Sequence, residues 1–245
     1  MGPWQEANAL RCVRNWAPAL LIAGLLLGFA LIAQEVLEGE PIAFDRWVML
    51  ALRHASDPSL PIGPRWLPEA ARDVTALGGT VVLGILLLVV AGYLLAAGKR
   101  HAAWFVLATV LGGAALNSLL KLGFARPRPD IVTPLTKVLT LSFPSGHAAL
   151  SAVCYLTLGV LLAQTQASRA LRIYFIAIAV LLTLAVGLSR IYLGVHYLSD
   201  VLAGIAGGVF WLSVSISLQT VYAERFVARF AGSRTDRFAR RATRS

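Results

Sequence analysis

The sequence predicts an all-α integral membrane protein, built as a bundle of six transmembrane helices. Of its 245 residues, 58% are hydrophobic and only 14% are charged, whereas about a quarter of the residues in a soluble globular domain are charged. Six stretches lack Asp, Glu, Lys, Arg and His and approach the length that crosses a bilayer, about 20 residues. They are residues 15–34, 74–98, 102–120, 148–168, 173–189 and 201–223.

The first stretch follows Arg11 and Arg14, as the apolar core of a signal peptide would. It is longer than such a core and no A-x-A site follows it, so we expect it to remain as the first helix. With six crossings, both termini lie on one side, and 13 of the 22 basic residues fall on that side. The positive-inside rule therefore predicts cytoplasmic termini, with residues 35–73, 121–147 and 190–200 facing outward.

Residues 1–223 are predicted to form one membrane domain, and residues 224–245 a basic cytoplasmic tail without regular structure. The net charge of +10 could suggest nucleic acid, but the basic residues lie at helix ends and in the tail, where they suit an anionic membrane surface. In the first outer segment, residues 44–51 have helical spacing and are interpreted as a short helix in the membrane interface. A plain loop remains the alternative.

The polar residues that can carry chemistry gather at the predicted outer ends of the third to sixth helices. Ionisable groups near a bilayer are costly and usually mark function. Three clusters are predicted to share this face. They are Lys121 to Pro129 after the third helix, Pro144 to His147 before the fourth, and Ser189 to Asp200 between the fifth and sixth.

The cations and the helix start within these clusters suit an oxyanion. Lys121, Arg128 and Arg190 supply three positive charges, and a planar guanidinium matches phosphate oxygens in pairs. Ser145 and Gly146 lead into the fourth helix, where free N–H groups and the positive end of the dipole favour an anion. The residues therefore predict a pocket for phosphate or sulfate, and do not choose between them.

Two histidines and an aspartate complete the set. His196 and Asp200 are four residues apart and would share one face of a helix starting there. The carboxylate would then hold one ring nitrogen and leave the other nucleophilic. His147 could protonate the departing oxygen. Because one histidine must begin neutral and the other protonated, the set predicts a bell-shaped dependence of activity on pH.

Other polar and small residues are given structural roles. Arg126 lies between motif positions and is expected to add positive potential without being catalytic, and Tyr197 is expected to be an interface aromatic. The glycines at 204, 207 and 208 are expected to permit close helix packing. No spacing of carboxylates and histidines typical of a metal site occurs, so neither a metal nor another cofactor is predicted.

The three clusters together resemble the type 2 phosphatidic acid phosphatase family, which is related in its active site to bacterial acid phosphatases and vanadium haloperoxidases. The chain follows the pattern Lys-x6-Arg-Pro, Pro-Ser-Gly-His and Ser-Arg-x5-His-x3-Asp at every position. The motif core spans residues 121–200, and the six-helix layout extends the resemblance over most of the chain. The matching residues are Lys121, Arg128, Pro129, Pro144, Ser145, Gly146, His147, Ser189, Arg190, His196 and Asp200.

The resemblance implies a metal-independent phosphatase. In such an enzyme His196 attacks phosphorus to give a phosphohistidine, Asp200 supports it, and His147 is the general acid. The phosphate would be held by Lys121, Arg128, Ser145, Gly146 and Arg190.

The expected reaction is removal of phosphate from a membrane lipid mono- or diphosphate. Phosphatidic acid, phosphatidylglycerol phosphate, undecaprenyl diphosphate and the phosphates of lipid A all remain candidates. Phosphotransfer to a hydroxyl acceptor is the alternative. An anion transporter is less favoured, because its charges should line a path to both faces. We expect a bacterial inner membrane location with the site facing the periplasm, and the sequence leaves the oligomeric state open.

Overall fold

A computed structural model describes residues 3–38, 43–138 and 140–242, except for the side chains of residues 3–18 and 222–242. These ranges contain helices and one two-stranded sheet. In chain order they are α1 Pro3–Leu37, α2 Ala43–Ala51, β1 Arg53–His54, β2 Asp57–Pro61, α3 Leu67–Ala76, α4 Thr80–Ala96, α5 Arg100–Phe124, α6 Gly146–Gln164, α7 Arg169–Tyr192 and α8 Leu198–Ala242. The predicted helical membrane bundle is confirmed.

The described residues contain six candidate membrane crossings if one bent pair of helices counts as a single span. Residues 19–37 of α1, the helices α5, α6 and α7, and residues 198–221 of α8 are each long and apolar enough to cross. The sixth crossing is α3 with α4, which bend by 42°. The bend lies at Gly78, where a Cβ would come within 2.4 Å of Val186 Cγ1. The bare glycine backbone therefore lets this corner pack against α7.

Helix α6 forms the centre of the bundle, and α5, α7 and α8 pack around it. Half of its apolar window is buried, a larger share than in the other spans that cross alone. Its first turns present Ala148, Ala149 and Ala152, all buried. Small side chains let neighbouring backbones approach closely, which is how helices associate in a membrane.

The outer segment before α3 has more regular structure than the sequence predicts. The short helix expected at residues 44–51 is present as α2 and is followed by an antiparallel hairpin of β1 and β2. Prolines within β2 are tolerated because a two-stranded ribbon has only edge strands. On α2, Asp45 and Met49 are buried, whereas Phe44 and Trp47 are exposed and stacked with ring centroids 5.6 Å apart.

The three connections predicted to face outward lie together at one end of the bundle. Leu135 N–H donates to the carbonyl of Leu193 at 2.9 Å, and Arg72 on α3 donates to the carbonyl of Leu135. The Tyr192 hydroxyl donates to the carbonyl of Ile62 at 2.8 Å. The side of the membrane on which this end lies stays a prediction.

The other end of the chain differs from the sequence-based expectation. Residues 224–245 are predicted to lack regular structure, but α8 continues to Ala242. Residues 243–245 lie outside the described ranges. Alanine and arginine, which are frequent there, have high helix propensity. The division of the chain at residue 224 into domain and tail stays a prediction.

Candidate active site

Lys121 belongs to the last turn of α5 rather than to the connection after it. The helix ends at Phe124, and the C-cap residue Ala125 adopts a left-handed conformation with φ of 48°. The Lys121 ammonium donates to the carbonyls of Leu141 at 2.6 Å and Ser142 at 3.3 Å. Lys121 is therefore tied to the segment that leads into α6.

Arg128 lies against His196. Its Nη1 is 3.2 Å from His196 Nε2 and donates to the carbonyl of Val195 at 2.6 Å. Its Nε donates to the carbonyl of Thr140 at 2.6 Å. Because a guanidinium has no acceptor, a hydrogen bond between Arg128 and His196 requires Nε2 to carry a lone pair and Nδ1 to carry the proton.

The Nδ1 atom of His196 faces two acceptors. Asp200 Oδ2 and Ser142 Oγ each lie 3.3 Å away, and the Ser142 hydroxyl itself donates to Asp200 Oδ2 at 2.5 Å. Since that hydroxyl proton is used on Asp200, the serine oxygen is left to accept from Nδ1. This arrangement fixes the imidazole with Nε2 directed away from the carboxylate, toward Arg128.

The pairing of His196 with Asp200 does not depend on a shared helix face. The sequence placed both on one helix, but α8 begins at Leu198 and His196 precedes it. Asp200 is the third residue of α8, and its Oδ2 accepts the backbone N–H of Tyr197 at 2.9 Å. A carboxylate in the third position of a helix that accepts the N–H of the residue just before the helix forms one of the two hydrogen bonds of a capping box. The cap holds Asp200 and the preceding turn together.

Arg126 joins Asp200 to the outer helix α2. Its Nη1 donates to Asp200 Oδ1 at 2.7 Å and to Ser199 Oγ at 2.9 Å, and its Nη2 lies 3.4 Å from Asp45 Oδ2. Asp45 also accepts the backbone N–H of Ser199 at 2.8 Å. All four residues are buried. The guanidinium lies 4.4 Å above the ring of Tyr197, so Tyr197 is buried in the site rather than placed in an interface belt.

Arg190, in the last turn of α7, has few partners for a buried cation. It is 2% exposed, and its Nη1 donates to Thr75 Oγ1 at 3.0 Å. Within the described ranges, Nε and Nη2 of Arg190 and the hydroxyl of Ser145 have no hydrogen-bond partner. Buried donors without acceptors are costly, so these groups are suited to receive an anionic ligand.

Gly146 begins α6, and Ser145 occupies its N-cap position without a side-chain cap bond. A Cβ on Gly146 would lie 3.2 Å from Asn117 Nδ2 and 3.5 Å from Lys121 Cε. The absence of a side chain therefore brings the start of α6 close to the polar groups of α5. His147 follows, close enough to interact electrostatically with Arg128, His196 and Arg190.

The charge state of His196 follows from its burial. Burial lowers the pKa of His196 to about 4, and the neighbouring Asp200 opposes this change. The imidazole is therefore neutral at physiological pH, as a nitrogen nucleophile must be. Across the described residues, no group of three His, Cys, Asp or Glu side chains is arranged to hold a metal ion.

Sequence reasoning missed three contributors to this arrangement. The sequence predicts only a general positive potential for Arg126, and no motif includes Asp45 or Ser142. Only Asp45 carried a usable signal, because it is an ionisable residue on the same helical face as the apolar Met49.

Comparison with known proteins identifies the family. The model of the PAP2 superfamily matches residues 102–222. Phosphatidylglycerophosphatase B of Bacillus subtilis (strain 168) is 32% identical over 146 residues, which are 59% of this chain and 71% of that protein. The chain belongs to the PAP2 superfamily. It is accordingly a phosphatase and an integral membrane protein.

Two further similarities extend this PAP2 assignment. The crystal structure of a transmembrane PAP2 type phosphatidylglycerolphosphate phosphatase from Bacillus subtilis superposes with a TM-score of 0.71 at 27% identity, covering 81% of this chain and 96% of that one. Lipid A 1-phosphatase of Rhizobium etli is 34% identical over 122 residues, 46% of this chain and 48% of that protein. The chain thus spans about half of the latter relative.

Proposed function

We propose that this phosphatase hydrolyses a lipid phosphate in the membrane through a phosphohistidine on His196. The observation that carries the proposal is the environment of that imidazole, with Arg128 beside Nε2 and the Asp200–Ser142 pair at Nδ1. An imidazole held in this way is an oriented nucleophile next to a cation that can bind the phosphoryl oxygens.

The first step transfers the phosphoryl group to the protein. The Nε2 lone pair of His196, freed when Arg128 binds the phosphoryl oxygens instead, attacks phosphorus. The bond from phosphorus to the lipid oxygen breaks, and that oxygen takes a proton from His147. Lys121, Arg128, Arg190, Ser145 and the N–H of Gly146 stabilise the charge on the phosphoryl oxygens. In the second step His147 accepts a proton from water, the water oxygen attacks phosphorus, and the P–N bond breaks.

The substrate class is inferred from the relatives and from the setting. Their names concern phosphatidylglycerol phosphate and the 1-phosphate of lipid A, which share a phosphate ester carried by a membrane lipid. Phosphatidic acid and undecaprenyl diphosphate remain candidates for the same reason. The sequence predicts that the site lies on the periplasmic side, which would let the substrate keep its chains in the outer leaflet.

A phosphate-release assay on purified protein tests the proposal. A panel of lipid mono- and diphosphates is compared with soluble phosphate esters, and His196→Ala is compared with His101→Ala, which removes an exposed histidine from the start of α5. We expect release from at least one lipid phosphate, abolished by His196→Ala and retained by His101→Ala. Substantial turnover by His196→Ala would contradict the assigned nucleophile, and phosphate appearing on an added alcohol would indicate transfer rather than hydrolysis.

A further inference from the structure

A groove leads from the candidate site down the bundle between α5 and α8, with α6 as its floor. Its volume is about 280 Å³, including the part open to the surroundings. Leu116 and Leu120 of α5 form one wall, Ala203 and Gly207 of α8 form the other, and Val153 lies on the floor. The lining is therefore almost entirely apolar.

The glycines of α8 differ in what they do for this groove. A Cβ on Gly204 would lie 2.6 Å from the carbonyl oxygen of Ser145, and one on Gly208 would lie 2.7 Å from that of Ala149. Both permit the close packing of α8 on α6 that the sequence predicts. A Cβ on Gly207 would meet no described atom within 4 Å. Gly207 thus keeps the groove open instead of allowing contact.

Trp211 closes the end of the groove that is remote from the site. Its indole N–H donates to the carbonyl of Thr109 at 2.7 Å, which links α8 to α5. The ring packs against Gly112 and Gly113, where added Cβ atoms would come within 2.4 and 3.1 Å of it. From Gly204 to Trp211 the groove follows α8 for about 10 Å, at 1.5 Å per helical residue.

The other end of the groove lies beside the candidate site. Pro144, next to Ser145, lines it together with Asn117, and Asn117 lies one turn before Lys121 on α5. Asn117 is 7% exposed, and its Oδ1 has no hydrogen-bond partner in the part of the chain that the structure describes. A buried carboxamide oxygen without a donor is costly, so it points to a ligand that brings a polar group to this junction.

We propose that this groove holds a hydrocarbon chain of the substrate, with the Asn117 carboxamide at the junction between chain and headgroup. The inference rests on the proposed function. A 10 Å length of transmembrane helix, which is about 10–12 Å wide with its side chains, occupies more space than the 280 Å³ of this groove, whereas a single alkyl chain is far thinner. Pro144 and Asn117 of the groove also adjoin Ser145 and Lys121 of the predicted phosphate pocket, so one ligand can reach both.

The groove acts on the orientation of the substrate more than on its affinity. A lipid chain in the bilayer is already in apolar surroundings, so moving it into the groove brings little hydrophobic gain. Holding the chain limits how the headgroup can approach His196, and positioning of this kind contributes to the rate. A blocked groove should therefore lower kcat/KM for substrates with long chains and spare those whose chains are too short to fill it.

The experiment compares Gly207→Leu with Gly84→Leu. Gly84 on α4 is the matched control, because an added Cβ there also meets no described atom within 4 Å, and Gly84 lies outside the groove. Each variant is assayed in detergent with a long-chain and a short-chain phosphatidic acid. We expect Gly207→Leu to lower kcat/KM about tenfold for the long-chain substrate, which corresponds to about 1.4 kcal/mol, and to leave the short-chain value near that of wild type.

Two further variants keep the test decisive. Gly207→Val fills the groove in a smaller step if the leucine variant does not fold. Asn117→Leu should lower kcat/KM for both substrates, without lowering thermal stability. Unchanged long-chain activity in Gly207→Leu, or an equal loss with both substrates, would overturn the groove assignment while leaving the proposed function intact. Wild-type protein that releases no phosphate from any lipid of the panel described above would overturn both.

Discussion

Arg126 and Arg190 are both buried at the same end of the bundle, yet their surroundings are opposite. Arg126 contacts the carboxylates of Asp45 and Asp200 and the hydroxyl of Ser199. Arg190 donates to Thr75, and no carboxylate of the described residues lies within salt-bridge distance of it. A buried charge is tolerated when it is paired. From this difference we propose that Arg126 holds the site together, whereas Arg190 binds an anion that arrives with the substrate.

The largest effect is expected from Arg126→Met, and it concerns folding. Removal of this guanidinium leaves two buried carboxylates without their cation, and breaking a buried ion pair in this way costs about 3–5 kcal/mol. Thermal unfolding in detergent, followed by loss of helical signal, should show a marked fall in Tm. Arg46→Met is the control, because Arg46 is exposed on α2. Equal Tm values for the two variants would refute the structural role of Arg126.

Arg190→Met is expected to affect catalysis rather than folding. The variant removes a buried cation that has no carboxylate partner among the described residues, so its Tm should be no lower than that of wild type. The loss of one stabilising donor should lower kcat by about 10²–10³. Arg169→Met, an exposed site at the other end of α7, is the control. A large drop in Tm without loss of turnover in the folded fraction would reverse the assignment.

A smaller effect concerns the acid limb of the pH profile. Because burial lowers the pKa of His196 to about 4, its nucleophilic neutral form persists below the usual histidine value of about 6.5. The contribution of His196 to kcat/KM should therefore be lost only as the pH falls through about 4. The substrate phosphate, whose second pKa is about 6, is titrated separately by ³¹P NMR. An acid limb with an apparent pKa near 6.5, different from the pKa of the substrate phosphate measured by NMR, would contradict the buried, neutral imidazole.

The two arginines also show which features of the site the sequence predicts and which it does not. Apolar runs predicted the crossings, because hydropathy and length are local properties. The same apolar runs predicted some helix ends wrongly. Each run stops at its first charged residue, whereas α5 and α7 continue through Lys121 and Arg190. The motifs led to Arg190 and His196, and the structure brings both to one end of the bundle.

The remainder of the site depends on contacts between distant parts of the chain. Asp45 meets Arg126 and Ser199 only because α2 folds back on the start of α8, a contact that no local pattern encodes. The run Arg-Pro-Arg-Pro contains two arginines two residues apart, and spacing alone does not reveal that Arg126 pairs with Asp200 while Arg128 lies at His196. Ser142 precedes a motif without belonging to it.

The central claim is that His196 becomes phosphorylated, and trapping the phosphoenzyme tests it most directly. Protein is mixed with a ³²P-labelled lipid phosphate, quenched rapidly in alkali and digested, and the labelled peptide is sequenced. We predict an acid-labile, alkali-stable label on His196, absent in His196→Ala and present in His101→Ala. A label on another residue, or steady turnover with no covalent label at the shortest quench times, would contradict the account.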